Sequence, residues 1–334
     1  MATHTLPTHH AAPVHEPPAA LRATGIIAVL TIAIALVAIA FALPAARSKP
    51  HNVPIGAAGP QAASSQVAQR LEQQAPGAFA VTYYPGEAAL RDAILNRNVY
   101  GGIAFTPDGP VLLTATGGSP AVAQLLNQVG SGIAAHSGVA LRTEDLAPPT
   151  KDDPRGAGLA ASALPITLAG ILPAVALVIA LRREVWTRLT AGIVFSAVAG
   201  ITVAALLYYV FGSIEDNFWG VAAGLTLGVA AAGLFMLGLG SLFGRTGLAV
   251  GALLALLLGN PLSGLTAAPE MLPRGWGVLG QLLPQGANAT LLRSTAYFGG
   301  AGATSAVIVL ACWALVGASM VVIAALRQRR RGHA

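Results

Sequence analysis

Cysteine and charge are both scarce in this chain, and each scarcity closes off a class of function. A single cysteine, Cys312, stands in 334 residues, so neither an intrachain disulfide nor a cysteine-based metal cluster can form. Charged residues make up 10% of the chain, against ~25% in ordinary soluble domains. No GxxxxGK[ST] phosphate loop occurs, which excludes nucleotide hydrolysis by that route within this chain, and HExxH, GxSxG and paired-cysteine motifs are missing as well. A membrane enzyme therefore has no catalytic constellation to build on. Catalytic, metal and cofactor-binding residues are expected to be absent.

What is abundant is apolar. Hydrophobic residues make up 54% of the chain with 39 glycines, and the mean hydropathy is +0.67, the profile of an integral membrane protein. The formal net charge of +6 would suggest nucleic acid as a partner if the chain were soluble. Here the basic residues flank apolar spans, the pattern of membrane topology, so the expected partner is membrane lipid and not nucleic acid.

Residues 1–22 are rich in Pro, Ala and His. With irregular spacing and no accompanying cysteine, His4, His9, His10 and His15 read as part of a disordered cytoplasmic tail and not as a metal tract. Ala23 to Leu43 is an uncharged run of about 21 residues, enough to cross ~30 Å of hydrocarbon. The LPAA that follows resembles a signal-peptidase site, but the run exceeds the ~7–15 residue core of a signal peptide and reads as a retained anchor. Five further apolar segments, 159–181, 189–211, 218–243, 248–260 and 303–326, bring the expected number of transmembrane helices to six. The fifth has only about 13 apolar residues before Asn260-Pro261. It is expected to end inside the membrane and turn back. Gly240 and Gly244, then Gly247 and Gly251, set small residues one turn apart and predict close helix packing around the fourth and fifth spans.

Residues 44–158 change to a mixed composition and predict an aqueous α+β domain. After a linker rich in Pro, Gly and Ala, the pattern predicts strands over 78–84 and 99–105 with a helix over 86–98 between them. A third strand is predicted at VLLTAT and a helix over 120–135. Arg91, Asp92, Arg97 and Asp108 lack any nucleophile-base spacing and read as a solvated charged face.

Orientation comes from arginine. Arg22 precedes the first span, Arg182, Arg183 and Arg188 follow the second, Arg245 follows the fourth, and a basic tail (327–334) follows the sixth. The opposite short loop carries Glu215 and Asp216, so both termini are expected in the cytoplasm, and the α+β domain outside. Arg47, Lys49, Arg274 and Arg293 dilute this bias on the outer side. The spans contain essentially no ionisable groups, which ion-coupled transporters use. A transporter of this kind would draw its energy from a partner subunit. The cytoplasmic loop LRREVWTRL, with Arg182, Arg183, Glu184, Trp186 and Arg188, has the Trp and Arg that dominate interfaces, or equally is a topogenic cluster with Trp186 in the headgroup belt.

The stretch around which the chain is organised is 260–300, apolar yet divided by prolines. Non-helical backbone is tolerated at membrane depth only where protein or a water-filled cavity receives it. The order of one span, an outer domain and five spans, with VYGGIAF, NPLSG, PEMLP and LLPQGANATLLRSTAYF, resembles the membrane subunit of type-two ABC exporters, in the branch of phage-infection-protein-like permeases. The resemblance covers Ala23 to Arg331 and implies a homodimer, or a dimer with a homologous permease. It also implies a separate cytoplasmic ATPase subunit holding ATP and Mg, touched by the loop at 182–188. It implies too that the broken segment forms short extracytoplasmic helices; the arginine pattern, which puts both ends of that segment outside, makes Asn260, Pro261, Ser263, Gly264, Pro269, Pro273, Pro284, Arg293 and Tyr297 the expected outer gate. The expectation is a permease that exports an amphipathic or lipid-like substrate across the bacterial plasma membrane. The alternative is a non-transporting envelope protein whose outer domain binds a secretion apparatus, cell wall or phage; the small size of that domain weakens a role as a long surface structure or phage receptor.

Overall fold

The computed structural model describes residues 18–137, 140–265 and 267–331. The expected N-terminal tail through residue 17, with its four histidines, and the end of the basic tail lie outside the described residues. Helix α1 (Ala19–Ala46) begins at Ala19 and not Ala23. The most apolar window of its 28 residues is 0% buried. A helix of ~42 Å at ~1.5 Å per residue, it leaves Ile26, Val29 and Ile34 exposed, and only its last turns, around the buried Pro44, pack against the rest of the described residues.

The chain then builds a small sheet. In order come β1 (Val53–Ala58), α2 (Gln61–Gln74), β2 (Phe79–Tyr84), α3 (Glu87–Leu95), β3 (Gly101–Thr106), β4 (Gly109–Thr114), α4 (Pro120–Ser137) and β5 (Arg142–Asp145). The strand order is β2-β1-β3-β4-β5. β1 runs parallel to β2 and β3, β3 and β4 form an antiparallel hairpin, and β5 is parallel to β4. Two apolar cores line the sheet, one including Leu90, Ile94 and Leu113, the other Val53, Ile55 and Leu112.

β1 and α2 occupy the stretch that the sequence presents as linker. VPIGAA carries Pro and Gly, both weak strand residues, so local preference hides a strand that tertiary pairing makes. Gly56 is needed there, because a Cβ would collide with Leu90 of α3.

The remainder is helical: α5 (Ala157–Ala161), α6 (Ala163–Ala180), α7 (Val185–Ala205), α8 (Phe218–Leu254), α9 (Trp276–Gln281), α10 (Pro284–Tyr297) and α11 (Thr304–Arg331). Single π turns extend α7 over Leu206–Val210 and α8 over Ala255–Gly259. Among the described residues, five helices are long and apolar enough to cross a membrane: Ala19–Ala46, Ala157–Ala180, Val185–Val210, Phe218–Gly259 and Thr304–Arg330. The expected count was six. The difference lies in Phe218–Gly259, whose 42 residues would make a straight rod of ~63 Å, twice the hydrocarbon thickness.

That rod is broken. Gly244 has φ 63° and ψ −139° inside α8, a conformation essentially reserved for glycine. After it the chain doubles back, with Leu248 packed on Gly240 and Gly251 on Met236 and Leu239. A side chain at Gly247 would strike the Leu239 carbonyl. One continuous helical assignment therefore contains two legs of a hairpin.

α8 is the centre of the bundle, with α6, α7, α10 and α11 all packed on it. Backbones come close enough that a Cβ at Gly200 would meet Thr226, and one at Gly317 would meet Leu234 and Phe235. Such contacts hold helices together where apolar burial gives little drive for association. At one end of the bundle the Thr150 hydroxyl donates to the Gly212 carbonyl and the Lys151 N–H to Glu215, so the acidic turn shares that end with the sheet. Arg182, Arg188, Arg245 and Arg327 line one cavity at the other end.

Candidate functional site: the seam between sheet and helices

Residues 260–300 join the two halves of the molecule. The π turn of α8 ends at Asn260, and Pro261 has no N–H with which to continue it. Gly264 turns the chain at φ 71°, and a short 3-10 turn forms at Pro269–Met271. α9 follows, then a tight reversal at Leu282 and Leu283, and Pro284 opens α10 at its first position, where a missing N–H costs nothing. α9 and α10 thus form a helical hairpin with its turn against α11, where Trp313 Nε1 donates to the Leu282 carbonyl at 2.8 Å. α10 buries Ala287 and Leu291 in one core with Ala231 and Leu310.

The same segment completes the sheet. The N–H of Lys49 donates to Met271 O at 3.0 Å and that of His51 to Glu270 O at 2.9 Å. Ala268, 0% exposed, belongs to the core of Val53 and Ile55. Tyr297 and Phe298 pack on the opposite core.

Two guanidinium groups close the seam. Arg97 follows the C-cap of α3 at φ 60°, a left-handed position usually held by glycine. That backbone turn aims its side chain away from solvent: it donates to Thr290 O at 3.0 Å and to the Ser294 hydroxyl, and it stacks 5.3 Å from the Phe298 ring centre. Arg97 is therefore not part of a solvated face, unlike Arg91, which pairs with Glu87 and Glu144. Arg293, 6% exposed, donates to Gly264 O at 2.7 Å and to Leu265 O. Neither Arg97 nor Arg293 forms a salt bridge among the described residues. The Tyr100 hydroxyl donates to Glu270 at 2.8 Å, and burial, with Glu270 beside it, pushes that phenol well above its usual range. Burial also lowers the Arg97 guanidinium, which stays protonated near neutral pH.

Between these groups lies a cleft of about 620 Å³, lined on its polar side by His51, Arg97, Tyr100, Glu270, Arg274 and Arg293. Its other wall includes Val278, Leu282 and Val309, of which Val278 is 70% exposed. His51 Nδ1 and Gln281 Nε2, both of residues that line the cleft, are buried without a hydrogen-bond partner among the described residues. Three arginines face one carboxylate, next to an apolar strip. Chemically, the cleft can accept a hydrogen-bond-accepting, negatively charged head with an apolar body beside it. No group of three or more His, Cys, Asp and Glu suited to a metal occurs among the described residues.

Of the nine residues expected at an outer gate, six line two separate cavities. Pro269, Pro273 and Arg293 line the large cleft. Asn260, Ser263 and Pro284 line a separate cavity of about 20 Å³ with Thr167 and Asn288, where the Thr167 hydroxyl donates to Asn260 Oδ1 at 2.7 Å. Pro261 and Gly264 shape the backbone between them, and Tyr297 bridges the sheet core and the helix core.

At the far end, Arg182, Arg183, Glu184 and Trp186 are exposed, Trp186 at 48%. Arg188 is not: α7 starts at Val185, which turns Arg188 inward to 4% exposure. Gly240, Gly247 and Gly251 hold the two legs of the α8 hairpin together, and Gly244 makes the turn.

His51, Tyr100 and Gln281 are not singled out by sequence patterning, and Arg97 reads there only as part of a solvated charged face. One signal was present: Glu270 is the sole carboxylate between Asn260 and Gly300. No family model, no curated protein and no solved structure matches the chain.

Proposed function

We propose that the chain is the permease subunit of an exporter that moves an amphipathic or lipid-like substrate, driven by ATP and Mg on a separate cytoplasmic ATPase subunit. The observation that carries this reading is the α9–α10 hairpin. Its second helix, α10, is buried among long apolar helices, its first, α9, is more exposed, and a cleft with a polar and an apolar side opens between the hairpin and the sheet. Such a cleft suits a substrate with a charged head and an apolar body, and the hairpin is the element whose displacement would open it. Six crossings follow if the two legs of α8 each cross once. Both termini then lie in the cytoplasm of a bacterial cell, and the sheet lies outside. The exposed patch of Arg182, Arg183 and Trp186 at the opposite end is the docking point for the ATPase, and two copies of the chain form the pathway.

The alternative of an envelope-binding protein requires an outer domain that works alone. The sheet does not have its own complete cores: Ala268, Met271, Tyr297 and Phe298 fill them from the helical part. This favours a domain coupled to the helices over a free binding module.

The test is co-purification of the full chain with the ATPase encoded beside it, with ATPase activity measured in the complex. Trp186→Ala and Arg183→Ala should each lower stimulated ATPase activity while leaving the yield of folded chain unchanged. Failure to co-purify, together with activity indifferent to both substitutions, overturns the exporter reading. Full function from a chain anchored by α1 alone would establish the envelope reading.

A further inference from the structure

The end of the bundle away from the sheet holds a second large cavity, about 610 Å³, between the ends of α6, α7, α8 and α11. Four arginines line it, Arg182, Arg188, Arg245 and Arg327, and no carboxylate does. Arg188 forms its floor at 4% exposure. Among the described residues its guanidinium makes one hydrogen bond, a long one of 3.5 Å to the Arg182 carbonyl, and its Nε is buried with no partner. Ser241 Oγ, in the same wall, also lacks one. A buried guanidinium normally finds a carboxylate or carbonyls, because an uncompensated buried charge is strongly unfavourable. Here four like charges converge on one space with donors left over.

We propose that this cavity binds the phosphate-bearing headgroup of an anionic phospholipid from the cytoplasmic leaflet. Arg188 and Ser241 hold the phosphate from below, and Arg182, Arg245 and Arg327 surround it at the rim. Guanidinium forks match phosphate oxygens in geometry and charge. The cavity lies where helices end and headgroups begin, the depth at which basic pockets between helices take anionic lipid. Val178, Ile179 and Leu242 border it, and Ile179 is 49% exposed, so acyl chains have an apolar path along α6. Depth argues against the surface of an acidic protein, since Arg188 lies behind the rim where only a small group reaches it. The inference rests on the orientation proposed above, with α6, α7, α8 and α11 crossing a membrane and this end facing the cytoplasm, but it does not need the export reading.

The experiment uses the full chain in detergent micelles doped with either phosphatidylglycerol or phosphatidylcholine, with inorganic phosphate alone as a third arm. Native mass spectrometry reads bound lipid and thermal unfolding reads its effect. Phosphatidylglycerol should remain bound and raise the unfolding temperature, and phosphatidylcholine should do so far less. Arg245→Gln and Arg327→Gln, at the exposed rim where folding is not at stake, should each weaken the apparent phosphatidylglycerol affinity about tenfold, the effect of losing one charge-assisted contact. Arg188→Gln should weaken it further. Equal binding of the two lipids, or rim variants with unchanged affinity, overturns the proposal. The same stabilisation by inorganic phosphate without lipid would identify a soluble phosphate ligand instead and overturn the lipid assignment. So would rim variants that keep phosphatidylglycerol but lose the ATPase, which would give the cavity to an acidic partner.

Discussion

The two ends of the bundle use arginine in opposite ways. At the sheet end, Arg293 is buried, and its donors end on the carbonyls of Gly264 and Leu265. Arg97 likewise reaches Thr290 and Ser294. At the other end, Arg188 is as deeply buried but keeps an Nε without a partner, among three more arginines. A buried guanidinium satisfied by the chain's own carbonyls fastens two parts of the fold. One left unsatisfied is a place where something else binds. Substitution at the sheet end should therefore cost stability, and substitution at the arginine end should cost binding.

The largest effect expected is at Arg293. Arg293→Met removes the donor from two buried carbonyls and should destabilise the chain by about 2–4 kcal/mol, read as a loss of unfolding temperature in detergent. The matched change at the other end, Arg188→Met, removes a charge that has no partner and should be neutral or stabilising when anionic lipid is absent. If Arg188→Met proved the more damaging of the two, the contrast between the ends would be wrong. Arg97→Ala should fall between them, at about 1–3 kcal/mol, because it loses two hydrogen bonds and the Phe298 stack but relieves part of its left-handed strain only if replaced by glycine.

Next in size is Gly244. Its backbone lies at φ 63° and ψ −139°, with no atom within 4 Å of a Cβ placed there, so a side chain would meet strain and not a clash. Gly244→Val should cost about 1–3 kcal/mol. The same change at Gly132, exposed on α4 with equally open space and helical backbone, should cost far less. Equal costs at the two positions would mean that the α8 hairpin does not depend on that turn, and the arginine cavity it helps to shape would lose its support.

Much of this was legible in the sequence, for reasons that lie close along the chain. α1, α6, α7 and α11 declare themselves by length and hydropathy. The prolines of 260–300 divide the segment where the structure does: Pro261 ends the α8 run, Pro269 opens the 3-10 turn and Pro284 opens α10. Interactions across long separations were not legible. Arg97 looks like a surface residue after a helix until its bond to Ser294, 197 positions away, is seen. Arg188 reads as part of a docking loop because nothing local says that α7 begins at Val185 and turns it inward. β1 was hidden because Pro54 and Gly56 argue against a strand, and only pairing with β2 and β3 on both sides makes it one.

The smallest effect, and the one that tests whether the sheet end is held by charge, is at Asp153. Its carboxylate accepts from the N–H groups of Ala157 and Gly158, both at 2.8 Å, and from the Ser213 hydroxyl at 2.6 Å. It thereby ties the start of α5 to the turn before α8. Burial pushes this carboxyl up, but the Ser213 hydroxyl and the two N–H groups outweigh it and leave it below the usual carboxylate range. A carboxylate depressed in the folded state contributes stability above its unfolded value of about 3.9, and that contribution fades as pH falls through the lower folded value. Wild type should therefore exceed Asp153→Asn by about 1 kcal/mol near neutral pH. The gap should hold down to about pH 5 and narrow below about pH 4, as both chains come to carry a neutral group. Unfolding temperatures of the two chains across that range decide it. A gap that stays constant into acid would show that the contact is held by shape alone.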